Sequence, residues 1–103
     1  MEHNAEIKEI VNSILSAVPA LEIYLFGSFA DGTATDDSDY DFYVVIPDGD
    51  LRAIEATWKI NSAIKRQSRG IDMLVGTRSK FDKYKNVYSI EKEVLNTGVK
   101  LYG

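Results

Sequence analysis

Ile7, Ile10, Val11, Ile14, Leu15 and Val18 recur at the three- and four-residue spacing that gathers side chains on one face of a helix. Asn4, of a type whose side chain accepts from the free amides of a helix start, is the expected cap, and Pro19 ends the stretch. The period then shortens. Residues 21–26 are a run of strand formers stopped by Gly27 and Ser28, the expected first strand. Residues 40–46 are a second run of aromatic and β-branched residues, bounded by Asp36, Asp37 and Ser38 before it and by Pro47, Asp48 and Gly49 after it, and apolar enough for a central buried strand. Beyond Asp50, an expected cap, Leu51, Ile54, Trp58, Ile60 and Ile64 predict a helix with a wide apolar face that runs to about Gln67, with Gly70 marking its exit. Residues 71–75 read as a third strand. Val87, Ile90, Val94 and Leu95 repeat helically up to Gly98, an expected C-cap glycine, and residues 99–102 remain as a short tail.

This alternation predicts a small α/β or α+β structure in which helices pack on one face of a short mixed sheet. The chain has 103 residues, enough for a single domain that buries roughly 65% of its unfolded surface. Its 45% hydrophobic and 27% charged residues belong to an ordinary globular protein with a real core, and there is no repeat or linker to divide it. Residues 1–103 are therefore expected to form one domain.

Cysteine is absent and the only histidine, His3, lies at the start, which speaks against disulfides, thiolate nucleophiles, zinc sites and Ser-His-Asp chemistry. No run of about 18 apolar residues exists, and the opening segment carries acids where a leader would carry bases, so a soluble cytoplasmic protein is expected, with no membrane association. A net charge of −4 argues against strong nonspecific nucleic-acid binding, which rests on phosphate neutralisation by many cations. The charge is uneven, however: Lys59, Lys65, Arg66, Arg69, Arg78, Lys80, Lys83 and Lys85 crowd one later stretch. Solvated helix and loop faces explain such a run, and a surface for an anionic ligand or acidic partner is the sharper alternative.

Candidate chemistry concentrates around residues 27–41. Asp39 and Asp41 stand at the entry of the second strand, and carboxylates two residues apart on a strand share a face, about 6.6 Å apart at a rise of about 3.3 Å per residue. An aspartate is disfavoured at the edge of so apolar a strand, and burial without a counter-charge is expensive, objections that metal ligation removes. Phosphoryl-transfer sites hold two divalent ions about 3.5–4 Å apart, and aspartate oxygens suit Mg²⁺, which keeps waters and phosphate oxygens in its octahedron. Gly27 and Ser28, leaving the first strand for a short helix, offer backbone N–H groups and a hydroxyl to a phosphate. Asp72 interrupts the otherwise apolar third strand, and a neighbouring strand would bring it beside the first pair, to complete the metal site and take the proton of an acceptor hydroxyl.

Simpler readings exist. A Gly-Ser pair is usually a turn, and Asp36 and Asp37 fit a solvated turn. Asp37, Asp39 and Asp41 match positions one, three and five of a calcium loop, but Phe42 and Asp48 stand where the turn glycine and the bidentate glutamate are required. Neither a Gly-x-x-x-x-Gly-Lys-Ser/Thr phosphate loop nor a Gly-x-Gly-x-x-Gly fingerprint is present.

Gly27-Ser28, then Asp39-Tyr40-Asp41, then Asp72 on a later strand resemble the signature of the DNA polymerase beta-like nucleotidyltransferase superfamily, and the size and the closing residues 98–102 look most like its minimal nucleotidyltransferases. The resemblance covers nearly the whole chain. It implies the nucleotidyltransferase fold and a Mg²⁺-dependent transfer of a nucleoside monophosphate from ATP or another triphosphate, with two ions and pyrophosphate leaving. It implies phosphate binding by Gly27 and Ser28, metal binding by Asp39 and Asp41, and Asp72 as the third member of the triad. Asp31 departs from the pattern, since many relatives carry a basic residue there, and within these 103 residues no counterpart of the helical domain of larger members is expected. Minimal members are often antitoxins paired with a small HEPN-domain ribonuclease toxin, and some attach AMP to a toxin tyrosine; that is the activity the resemblance implies. A non-catalytic antitoxin that neutralises its partner by covering it is the alternative, and transfer to a small molecule such as an aminoglycoside is a third reading that the short chain disfavours.

Overall fold

Tyr40–Ile46 (β2) is apolar on both faces, and the rest of the molecule is arranged around that fact. The computed structural model describes residues 2–65 and 69–103. Around β2 it places helices α1 (Glu2–Ala17), α2 (Ser28–Asp31), α3 (Ala53–Ala63), α4 (Arg78–Tyr84) and α5 (Ile90–Thr97), and strands β1 (Glu22–Phe26), β3 (Ile71–Thr77) and β4 (Val99–Tyr102). The sheet order is β3-β2-β1-β4, with β1 antiparallel to β2 and β4, and β2 parallel to β3.

Alternation along the strands sends side chains to opposite faces. Tyr40, Phe42, Val44 and Ile46 join Ile23 and Leu25 under Ile10 and Ile14 of α1 and Ile60 of α3. On the other face Tyr43 and Val45 join Tyr24 and Phe26 under Phe81 of α4 and Val94 of α5. Helices therefore cover both faces, a correction to the one-sided packing expected from the sequence. The cause is β2 itself: a strand apolar on both sides must be covered on both.

Other departures have local causes. α1 begins at Glu2, so Asn4 lies inside the helix and is not its cap. α3 begins at Ala53 and is capped from Arg52, whose amide donates to Glu55 Oε1 at 3.2 Å, while Asp50 lies two residues upstream of that cap. It ends at Ala63, with Ile64 extended, so it falls short of Gln67, which lies outside the described residues. Its buried face is narrower than the pattern implies, since Ala56 and Ile60 are buried whereas Ile54 and Trp58 are exposed. Gly98 does occupy the C-cap of α5, its amide donating to the Val94 carbonyl at 2.9 Å, and the expected tail is the edge strand β4. α4 was not apparent in the sequence because Phe81 is its only buried residue and no stripe repeats. Among the described residues no helix is long and apolar enough to cross a membrane.

One buried carboxylate fastens the second core. Glu91, 4% exposed, accepts from the Tyr43 hydroxyl at 2.8 Å, and Lys80 Nζ stands 3.9 Å from the same oxygen. Burial first, and then the bond to Glu91, push the Tyr43 hydroxyl well above the usual phenol range. Tyr43→Phe should lower stability by about 1–3 kcal/mol, because the buried carboxylate loses its donor; urea unfolding monitored through Trp58 measures it.

Candidate active site

β1 ends opposite the acidic end of β2, with Phe26 paired to Asp41, so the next residue, Gly27, meets the Asp41 side chain. Gly27 has φ +72 and ψ −153, and a Cβ built on it would lie 2.1 Å from Asp41 Oδ2. Only glycine provides both the backbone conformation and the space. The chain turns there into α2, where Ala30 and Asp31 donate their amides to the Gly27 carbonyl and Ser28 is half-buried at the first helical position.

Asp39 and Asp41 precede and enter β2, and Asp72 is the direct register partner of Asp41 on β3. Adjacent strands lie about 4.8 Å apart, so this pairing forces two carboxylates together. Burial, the hydrogen bond with Asp72, and the charges of Asp72, Asp39 and Glu93 push the Asp41 carboxyl up to about 6. Asp41 is half-buried, while Asp39 and Asp72 are exposed. Burial on β3 therefore does not single out Asp72, because Leu74 on the same face is exposed too; its register with Asp41 does.

The three predicted carboxylates thus gather at one end of the sheet, Gly27 borders Asp41, and Ser28 follows it in the chain. Glu93, from α5, adds a fourth negative charge that the sequence pattern hid among the polar positions of a surface helix. Among the described residues no three such groups stand as a preformed cage for a metal. The donors nevertheless fit Mg²⁺: all are hard oxygens, and Mg²⁺ is ordinarily held by one or two carboxylates, with waters and substrate phosphates completing its shell. Like charges crowded at Asp41 are also what a divalent cation relieves.

The loop that delivers Asp39 is held by its own polar groups. Asp31 Oδ1 accepts from the Thr33 amide at 3.0 Å and from its hydroxyl, and these bonds hold the Asp31 carboxyl below the usual range. The Thr35 amide donates to Ser38 Oγ at 2.8 Å. Asp31, the departure noted from the resembling family's basic residue, therefore serves loop structure. A cavity of about 650 Å³ runs along α5, lined by Tyr88, Ile90 and Glu93 among others; the three aspartates are not in its lining.

The nucleotidyltransferase domain family model matches residues 5–97. The chain belongs to this family. Of solved structures, the chain is similar to a Sulfolobus solfataricus protein described as a nucleotidyltransferase, at 26% identity and a TM-score of 0.65 over 93% of this chain and 76% of that one. It is also similar in fold to a chain of a toxin–antitoxin structure with AMP-PNP, at 23% identity and a TM-score of 0.63, covering 93% of this chain and 72% of that one. A chain of an MntA–HpeT toxin–antitoxin mutant gives 22% identity and a TM-score of 0.62 with the same coverage. No curated protein matches the chain.

In this nucleotidyltransferase part of the later basic stretch is committed to internal contacts. Arg78 contacts Glu22 at 3.2 Å and Asp82 at 2.8 Å, Lys85 contacts Asp82 at 3.2 Å, and Lys80 reaches Glu91. Arg69 binds loop carbonyls. Arg66 lies outside the described residues. Internal neutralisation thus accounts for Arg78, Lys80 and Lys85.

Proposed function

We propose that this nucleotidyltransferase moves AMP from ATP to the hydroxyl of a protein tyrosine on a toxin partner of the HEPN type, with Mg²⁺ held by Asp39, Asp41 and Asp72. The register pairing of Asp41 with Asp72 beneath a glycine that leaves Asp41 Oδ2 its space carries this reading. In the transfer the acceptor oxygen bonds to the α-phosphorus, the bond to pyrophosphate breaks, and the acceptor proton passes to Asp72. Bound Mg²⁺ supplies charge neutralisation on the phosphates. Gly27 borders Asp41 and Ser28 follows it in the chain, where backbone amides and a hydroxyl can orient the phosphate chain. The similarity in fold to chains of toxin–antitoxin structures, one of them with AMP-PNP, supports the partner class and the nucleotide. Such a partner would also supply the acceptor hydroxyl and enclose an open site.

Incubation with labelled ATP, Mg²⁺ and the product of the adjacent gene should label that partner on tyrosine. A partner that binds and stays unlabelled would sink the reading. The exposed apolar side chains Val87, Tyr88, Ile90 and Leu95, on and before α5, favour a second one, in which covering the partner suffices. Asp39→Ala separates them: neutralisation is lost if it depends on transfer and is unchanged if it depends on contact alone.

A further inference from the structure

The loop before Asp39 and the chain entering β3 meet at two consecutive residues. One terminal nitrogen of Arg69, Nη1, stands 2.9 Å from the Thr35 carbonyl, 3.1 Å from that of Asp36 and 3.0 Å from that of Ser38. Its guanidinium also lies over the Phe29 ring, 4.9 Å from the centroid, which ties the same side chain to α2. The following residue, Gly70, accepts from the Tyr40 amide at 3.0 Å, and a Cβ built on it would lie 2.6 Å from Asp39 Oδ1 and 3.0 Å from Asp39 Cγ. Gly70 is not among the glycines with positive φ. Its lack of a side chain thus gives room to a carboxylate and does not serve the backbone.

From these contacts we infer that Arg69 and Gly70 are the positioning residues for Asp39. Arg69 gathers three carbonyls of an otherwise exposed loop and so fixes where the chain enters β2, and Gly70 leaves the space in which the Asp39 carboxylate sits. Both precede Asp72 by three residues or fewer, so one short segment sets two of the three aspartates at once. A cation charge alone would not do this. Arg69 reaches the three carbonyls through Nη1 while its guanidinium carbon lies over Phe29, two contacts made at once by an extended head, which the point charge of a lysine ammonium does not reproduce.

This inference rests on the proposed cation site, and Mn²⁺ alone is the probe. The Mn²⁺ concentration that half-broadens the Asp39, Asp41 and Asp72 amide signals is compared in the wild type, Arg69→Ala, Arg69→Lys and Gly70→Ala. Loss of a group that orients a metal ligand ordinarily weakens binding about 10–100-fold. Arg69→Ala and Gly70→Ala should each raise the requirement by about 10-fold or more. Amide exchange in residues 35–39 should accelerate in Arg69→Ala and stay near wild type in Gly70→Ala. Methylguanidinium should move Arg69→Ala back toward wild type, and Arg69→Lys should remain impaired. If Arg69→Ala does not fold, Gly70→Ala decides alone, since alanine is compatible with that backbone. An unchanged Mn²⁺ requirement in Gly70→Ala, or in a folded Arg69→Ala, overturns the inference. A wild type that binds Mn²⁺ but transfers no AMP defeats the proposed function while the Mn²⁺ comparison still decides the roles of Arg69 and Gly70.

Discussion

Asp41→Asn should lower AMP transfer by at least about 10²–10³-fold, the loss typical when one group that stabilises the transition-state charge is removed, while leaving the protein as stable as the wild type or more so. The two effects have one origin. Asp41 is half-buried, paired in register with Asp72 and close to the charges of Asp39 and Glu93, so in the metal-free protein its ionised form is held against repulsion. An amide of the same shape keeps the packing beside Gly27 and removes the repelling charge, but it is a far poorer ligand for a divalent cation. A site organised for charge that only the cation and substrate bring is expected to trade stability for function in this way. Thermal unfolding without added metal, together with the labelled-ATP assay, tests both halves. A variant that loses transfer and also loses several degrees of stability would place Asp41 in the fold and not in the chemistry.

Much of this site could be read from the sequence because its aspartates stand in or beside apolar strands, where a carboxylate is out of place. β2 was legible to the residue, since a run of seven residues rich in aromatic and β-branched types between turn residues reads as a strand, and Asp39 and Asp41 were conspicuous at its threshold. The pairing of Asp72 with Asp41 was legible only as an expectation. It depends on β3 lying parallel to β2 and in a register that periodicity does not encode. Glu93 and Glu91 were hidden for a related reason: in the sequence both are polar positions of an amphipathic helix, and only the placement of α5 against the second face of the sheet buries Glu91 and brings the charge of Glu93 to bear on Asp41. Arg69 lay in view within the basic stretch, but its charge pointed to a surface role, whereas its contacts are with backbone carbonyls. Trp58 shows the opposite error. Its helical spacing suggested core, yet α3 turns Ala56 and Ile60 inward and leaves Trp58 62% exposed.

Gly27→Ala is expected to abolish transfer as fully as loss of Asp41 while also destabilising the fold, and its two causes are separable. The backbone there has φ +72 and ψ −153, a region essentially restricted to glycine, and holding a residue with a side chain in such a region costs about 1–3 kcal/mol. That part would appear as reduced stability with or without substrate. The second part is steric. The added carbon would lie 2.1 Å from Asp41 Oδ2 and 3.1 Å from Cγ, so the carboxylate must swing away from the edge it shares with Asp72. In Asp41→Asn the group that must yield is still present, but Gly27→Ala with Asp41→Ala removes it. The double variant should therefore regain part of the stability lost by Gly27→Ala alone and regain no transfer. Gly32 supplies the control: its φ is +83, yet nothing lies within 4 Å of a Cβ built on it, so Gly32→Ala should show the backbone cost and retain most of the activity. Equal losses of transfer in Gly27→Ala and Gly32→Ala would mean that the left-handed turn, and not the space it leaves for Asp41, is what the site requires.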